Sequence, residues 1–202
     1  MSKKVKPKEF KAILLGESGT GKTSLINVSV GKKFYEGIPS TLASSFVSKK
    51  FEKGEDEYAL DLWDTNGQEK YRSMTKLFIK NSKIIIYVYS TDNRNSFENL
   101  QYWYETSKEI LGDDIVIGVV GNKSDLYLHE NVKEIEGKNY ADSIGAKFKL
   151  VSAKVDPNGF VAFLEDLLNE LLEKYGYIPH HKGKEGFEIK KVKKTKTKKS
   201  CC

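Results

Sequence analysis

FKAILLGESGTGKTSL, residues 10–25, decides how the rest of the chain is read. Phe10 to Leu15 is apolar but for Lys11 and reads as a buried strand. GESGTGKT (16–23) then fills every position of G-x-x-x-x-G-K-[ST], and GKTSLINVSV (21–30) continues as a helix. A strand that enters a glycine-rich loop and leaves as a helix is the setting in which this motif holds a polyphosphate. Gly16, Gly19 and Gly21 let the loop curl, so that the N–H groups along Glu17, Ser18, Thr20 and Ser24 turn inward. The helix N-terminus adds a favourable dipole. Lys22 supplies a point charge for the β- and γ-phosphates, and the Thr23 hydroxyl suits Mg²⁺. A glycine-rich turn matching by accident would lack this context. The motif does not separate ATP from GTP, or a kinase from a switch.

Working outward, apolar and helical segments alternate from about Glu9 to Tyr175. FVSKKFEKGEDEYALDLWD (46–64) reads as a hairpin turning at Lys53–Asp56. KIIIYVYS (83–90), DIVIGVVGN (114–122) and KFKLVS (147–152) read as further strands, and FENLQYWYETSKEIL (97–111) and NVKEIEGKNYADSIG (131–145) as helices. Phe160, Phe163, Leu164, Leu167, Leu168, Leu171 and Leu172 make a continuous helical stripe, begun by an Asp156–Pro157 cap pair. It serves either as a partner-binding face or as the side packed on the sheet, and packing is the simpler reading. The expected fold is α/β: a six-stranded, mainly parallel sheet with one antiparallel strand and five helices on its two faces. Ligands of such sheets bind at the carboxyl ends of the strands.

The chain carries 34 basic and 28 acidic residues in 202, and its charge is unevenly spread. From Lys182 onward there are nine lysines and two glutamates, which leaves 25 basic and 26 acidic residues before it. A near-neutral domain argues against nucleic acid as its partner. No apolar run approaches the roughly 20 residues of a membrane-spanning helix. MSKKVKPKEF has no apolar core of a secretory signal, and no cysteine precedes residue 201, so a cytosolic location is expected.

A second constellation lies downstream. GNKSDL (121–126) and VSAK (151–154) each follow a strand. Asp125 can accept two hydrogen bonds from an edge that presents an N–H beside an exocyclic amino group, and guanine has that edge where adenine does not. A carboxylate left unpaired in such a site penalises the wrong base. Asn122 can tie the loops together, the stem of Lys123 can lie along the base, and the Ala153 N–H, between Ser152 and Lys154, can donate to the base carbonyl.

With these motifs in place, residues 9–175 and the terminal cysteines resemble the Rab family of the Ras superfamily of small GTPases, a P-loop G domain. WDTNGQEKYRSMT (63–75) is similar to the family's second switch, and YVYSTDNRNSFENL (87–100) to a characteristic Rab stretch. The absence of an insert after GNKSDL disfavours Rho. The resemblance implies that Asp64 helps hold Mg²⁺, that the Gly67 N–H senses the γ-phosphate, and that Gln68 orients the attacking water. Thr41, 18 residues after Thr23, would be the second hydroxyl ligand of the metal. Phe34 falls where an aromatic ring stacks on guanine; its alternative is a buried loop aromatic. Phe46, Trp63 and Phe78 fall where Rab proteins carry an effector-binding aromatic triad; without the resemblance they would read as core. GTP and GDP would be substrate and product, and effectors, an exchange factor, a GTPase-activating protein and prenyl carriers the partners.

Four positions depart from the family, one of them Ser90, where aspartate is usual and no effect is expected. Ala43 and Ser45 replace a glycine and an aspartate of the first switch, and Asn66 stands where the family has a small alanine beside the γ-phosphate. Asn66 is expected to slow hydrolysis or change the response to exchange factors. At the limit, the chain would be a GTP-holding scaffold with negligible turnover. A P-loop nucleotide kinase would need a lid and an acceptor site, for which no segment is spare.

KKVKKTKTKKSCC (190–202) closes the sequence. Adjacent cysteines make a strained disulfide and a poor metal site. The resemblance implies geranylgeranylation of Cys201 and Cys202, and two lipids give a stable anchor. Seven lysines in 190–199 would each add roughly 1 kcal/mol near an anionic leaflet. A nuclear-localisation or RNA-binding tail is the rival. The expected layout is a flexible N-terminus (1–8), a GTPase domain (9–175) and a flexible tail (176–202) spanning roughly 28 Å as a coil. Such a protein would move between the cytosol and the cytosolic face of a membrane.

Overall fold

A computed structural model describes residues 7–39, 41, 45–67 and 72–177. Six strands run β1 (Lys8–Leu15), β2 (Ser45–Lys53), β3 (Asp56–Asp64), β4 (Ile84–Ser90), β5 (Val116–Asn122) and β6 (Lys147–Leu150). They form one sheet in the order β2-β3-β1-β4-β5-β6. Only the β2–β3 pair is antiparallel, closing at Lys53↔Asp56 on either side of Gly54 and Glu55. The other neighbours are parallel. The mainly parallel six-stranded sheet expected from the sequence is therefore the one observed.

The helices are α1 (Lys22–Ser29), α2 (Arg72–Ile79), α3 (Arg94–Glu98), α4 (Leu100–Leu111), α5 (Glu134–Ser143) and α6 (Pro157–Lys174). Asn99, between α3 and α4, keeps helical dihedrals (φ −73°, ψ −5°), so those two form one interrupted helix and the expected five remain. That helix begins at Arg94, three residues before the apolar run, because the Asn93 side chain accepts from the Ser96 N–H and caps it. Among the described residues no helix is long and apolar enough to cross a membrane.

The period-2 geometry of the strands sorts their side chains into two cores. Ala12, Leu14, Ile84, Ile86 and Val88 face one way and meet Leu25 and Ile26 of α1 and the α6 stripe. Ile13, Leu15, Ile85, Tyr87 and Tyr89 face the other way, toward Ile79, Trp103 and Ala141 of α2, α4 and α5. All seven residues of the α6 stripe are buried, so it is the packed face of the helix. Asp156 caps α6 by accepting from the Gly159 N–H at 3.0 Å, with Pro157 in the first turn.

Both ends of the sheet are defined. The carboxyl ends of β1, β3, β4, β5 and β6 and the start of β2 share one end, where residues 16, 65, 91, 123 and 151 leave the strands. At the opposite end the chain after α6 is stapled down. The Tyr177 ring packs edge-on against Phe10 at 5.6 Å, and the Lys8 ammonium sits over the Tyr58 and Tyr177 rings. Tyr175 donates to the Asp114 carbonyl at 3.0 Å and accepts from Lys83 at 3.1 Å.

Candidate nucleotide-binding site

Gly16 ends β1 so close to β4 that a Cβ there would lie 2.0 Å from the Val88 carbonyl oxygen. Gly21, at φ +91°, turns the chain into α1 in the left-handed region that glycine tolerates. Between them the loop makes a cradle, and Lys22 reaches back across it to donate to the Gly16 and Glu17 carbonyls at 2.8 Å each. The Thr20 hydroxyl closes the turn on the Glu17 carbonyl at 3.0 Å. Thr65 ties the end of β3 to β1 through the Leu14 carbonyl at 2.6 Å. Gly67 touches the cradle: its carbonyl accepts from the Ser18 N–H at 3.2 Å, and a Cβ there would lie within 2.5 Å of the loop backbone.

Burial pulls the Lys22 ammonium down from its ordinary 10.5 to about 8, and the charges of Asp64 and Glu17 oppose this. An anion in the cradle would restore the proton. Two results are expected. Without nucleotide, unfolded Lys22 binds more protons than folded Lys22 between about pH 8 and 10.5, so stability rises with pH across that window. Nucleotide binding above about pH 8 takes up a proton, and affinity falls by up to about tenfold per pH unit. Calorimetry of GDP binding in two buffers of different ionisation enthalpy reads that proton directly.

Beside the cradle three oxygens converge. Thr23 Oγ1 donates to Asp64 Oδ2 at 2.7 Å, Thr41 Oγ1 lies 3.3 Å from the same oxygen, and the two hydroxyls are 2.9 Å apart. Asp64 Oδ1 is buried with no hydrogen-bond partner among the described residues. Burial raises the Asp64 pKa, so its carboxylate is poised to gain from a cation. An all-oxygen set with a buried, half-paired carboxylate fits Mg²⁺.

The other side of the cleft is built around Asn122. Its amide donates to the Thr20 carbonyl at 2.8 Å and its carbonyl accepts from the Ala153 N–H at 3.2 Å, joining the cradle to both downstream loops. Ser152 donates to Asp125 Oδ1 at 2.5 Å, fixing the carboxylate while leaving Oδ2 and the second lone pair of Oδ1 for a ligand. Ser152 Oγ also accepts from the Lys154 and Val155 N–H groups. Lys123 adopts a left-handed φ of +64°.

Lys22, Thr23, Thr41, Asn122, Lys123, Asp125, Ser152 and Ala153 line one cleft of about 410 Å³, with Gly19, Ser24, Phe34, Thr65, Asn66 and Gly67 also on its wall, and Asp64 stands behind Thr23 and Thr41. Phe34 does two things: it lines the cleft and packs against the α1–α6 core. Asn66 is only 5% exposed, and its carbonyl accepts from Thr75 at 3.4 Å. Outside the cleft, Phe46 stacks on Trp63 at 5.2 Å and Trp63 meets Phe78 at 5.9 Å. Phe46 is 53% exposed, whereas Trp63 and Phe78 are half-buried against the core, so the interior that the bare sequence suggests holds for two of the three and Phe46 opens the cluster to the surface.

Gln68, Ser40, Ala43, Cys201 and Cys202 lie outside the described residues, as does the basic run. Two contacts had no signal in the sequence. Lys154 pairs with Glu36 at 2.7 Å, linking the base loop to the segment before Thr41. Lys123 Nζ lies 3.7 Å from Asp92. Both join residues far apart in sequence through exposed or half-exposed side chains, which leave no periodicity to read.

A phosphate cradle joined by one asparagine to a carboxylate-bearing base pocket defines a P-loop nucleotide-binding protein. Residues 11–173 match the family model described as "Ras family". The chain is 37% identical over 163 residues to the Ras-related protein Rab-21 of Geodia cydonium, covering 81% of this chain and 71% of that one. It is 35% identical over 164 residues to Rab-21 of Mus musculus, covering 81% and 73%. Human Rab-22A is 31% identical over 195 residues, 96% of this chain and 98% of that protein. The chain belongs to the Rab family of small GTPases, within the Ras superfamily.

Proposed function

We propose that this protein binds GTP and GDP, hydrolyses GTP to GDP and phosphate, and works as a membrane-anchored switch that recruits effectors in membrane traffic. The observation that carries this reading is the meeting of Thr41 with Thr23 and Asp64. Thr41 comes from the long segment between α1 and β2, and its closure on that oxygen pair ties the segment to the state of the cleft.

The residues divide the work. The cradle N–H groups and Lys22 hold the β- and γ-phosphates. Thr23, Thr41 and Asp64 would hold Mg²⁺, which when bound supplies charge neutralisation between the phosphates. Asp125 accepts from guanine and rejects adenine. Asn122 holds its loop, the Lys123 stem and Phe34 flank the base, and the Ala153 N–H faces the base carbonyl. The Gly67 N–H senses the γ-phosphate, and Gln68 orients the attacking water. When hydrolysis removes the γ-phosphate, Thr41 and Gly67 lose their reason to stay closed and the flanking segments relax. Phe46, Trp63 and Phe78 stand beside those segments, so effector binding follows nucleotide state. No arginine lines the cleft among the described residues, so intrinsic turnover is slow and help in trans is needed. Lipids on Cys201 and Cys202, with the lysine run, hold the protein on an anionic leaflet. Intact-mass measurement of cell-derived protein tests this, and free thiols alone would refute it.

A second reading rests on Asn66. A buried amide on the cleft wall, next to Gly67, can compete for the water or for Gln68. The protein would then be a GTP-held scaffold. Single-turnover GTP hydrolysis with Mg²⁺, beside Asn66→Ala and Gln68→Leu, separates the two. Slow wild-type turnover that only Gln68→Leu abolishes marks a timed switch. An inert wild type that Asn66→Ala restores marks the scaffold.

A further inference from the structure

Lys123 is held in a backbone geometry that lysine does not choose. Among the described residues two non-glycines have positive φ, Asn81 and Lys123. Asparagine tolerates that region; lysine does so only where the surroundings impose it. What imposes it here is the segment after β4. The Thr91 hydroxyl donates to the Lys123 carbonyl at 3.0 Å, and the Thr91 N–H donates to the Asn122 carbonyl at 3.0 Å. The Lys123 ammonium faces Asp92 Oδ1 at 3.7 Å, with the two side chains 35% and 29% exposed.

Asp92 is itself braced. Ser90 donates to the same carboxylate oxygen, and the Asn131 amide donates to the Asp92 carbonyl at 2.6 Å. The Asn131 and Val132 N–H groups both donate to the Thr91 carbonyl, at 2.8 and 3.1 Å. The turn from Ser90 to Asp92 is thus pinned on both sides, and it grips Lys123 at main chain and ammonium together.

We propose that Asp92, oriented by Ser90, is a positioning residue for guanine-nucleotide retention: it fixes the Lys123 ammonium so that the side-chain stem lies extended along the base pocket. It touches no nucleotide itself and acts through Lys123. This rests on the reading of the cleft as a guanine-nucleotide site.

The test is the release rate of a fluorescent GDP analogue from the full chain with Mg²⁺, for wild type, Asp92→Asn, Asp92→Glu, Lys123→Ala and Asp92→Asn/Lys123→Ala. Asp92→Asn keeps the size and a hydrogen bond to Ser90 but loses the charge. It is expected to release nucleotide about fivefold to tenfold faster, as suits a half-buried ion pair. Asp92→Glu should recover most of the wild-type rate. In the Lys123→Ala background the Asp92 change should add less than about twofold, because its effect passes through the lysine. Circular dichroism melting of the nucleotide-free proteins should not separate wild type from Asp92→Asn. Wild-type release by Asp92→Asn, or effects of Asp92→Asn and Lys123→Ala that multiply, would overturn the proposal while the guanine reading stands. So would a lowered melting temperature that accounts for the faster release. If Asp92→Asn fails to fold, Ser90→Ala decides on the same readout: faster release supports the proposal, and release at the wild-type rate overturns it. A wild type that holds no guanine nucleotide refutes the reading of the cleft, and this proposal with it.

Discussion

Asp125→Asn should lower affinity for GDP and GTP by roughly a hundredfold to ten-thousandfold and shift preference toward xanthine nucleotides. The carboxylate is fixed by Ser152 on one oxygen, so it cannot swing away from a mismatched edge. Guanine offers it an N–H and an exocyclic amino group. An amide in its place turns one acceptor into a donor, which faces the amino group of guanine and repels it. Two charge-assisted hydrogen bonds in a closed pocket are worth about 3–6 kcal/mol together. Xanthine carries a carbonyl where guanine has the amino group, and the new amide donates to it. Competition of xanthine and guanine diphosphates for the variant measures the switch. Undiminished guanine affinity in Asp125→Asn would remove Asp125 from the base pocket.

Gly16→Ala should cost about 3 kcal/mol or more of stability and weaken phosphate binding with it. The atom that the new methyl would meet is the Val88 carbonyl oxygen, at 2.0 Å, in the middle of the sheet. Val88 is wholly buried and paired with Val120 of β5, so it cannot retreat. The loop must move instead, and it carries the two carbonyls that hold Lys22. For a chain of this size the loss corresponds to a fall of about 6–12 °C in Tm. Gly19→Ala is the control: a Cβ there meets nothing within 4 Å, though its φ of +79° adds some strain. Thermal melting of both variants, with and without GDP, checks the contrast.

Much of this was legible in the sequence because it rests on local rules. The strand–glycine–helix order of residues 10–25 specifies a cradle by itself, and the α6 stripe specifies a buried face by period alone. The hairpin turn fell at Lys53–Asp56 as read, since two alternating runs leave it no other place. What stayed hidden depended on assembly. Phe46, Trp63 and Phe78 looked like core because aromatic residues usually are; Trp63 and Phe78 do pack on it, but β2 is an edge strand and leaves Phe46 outside. Helix α2 has its buried residues, Thr75 and Ile79, one turn apart, with exposed Met74 and Leu77 beside them. Asp92 and Glu36 were silent because a carboxylate in a turn is ordinary until the fold sets a lysine beside it.

The staple at Tyr175–Tyr177 has a mechanical consequence. Any pull on the chain beyond residue 177 is received first where Tyr177 meets Phe10 and where Tyr175 meets Lys83 and Asp114. Phe10 belongs to β1, which is hydrogen-bonded to β3 on one side and β4 on the other. Such a pull would therefore be passed to a strand that is held by hydrogen bonds on both sides. The cleft lies at the far end of that strand, a sheet's length away from the staple.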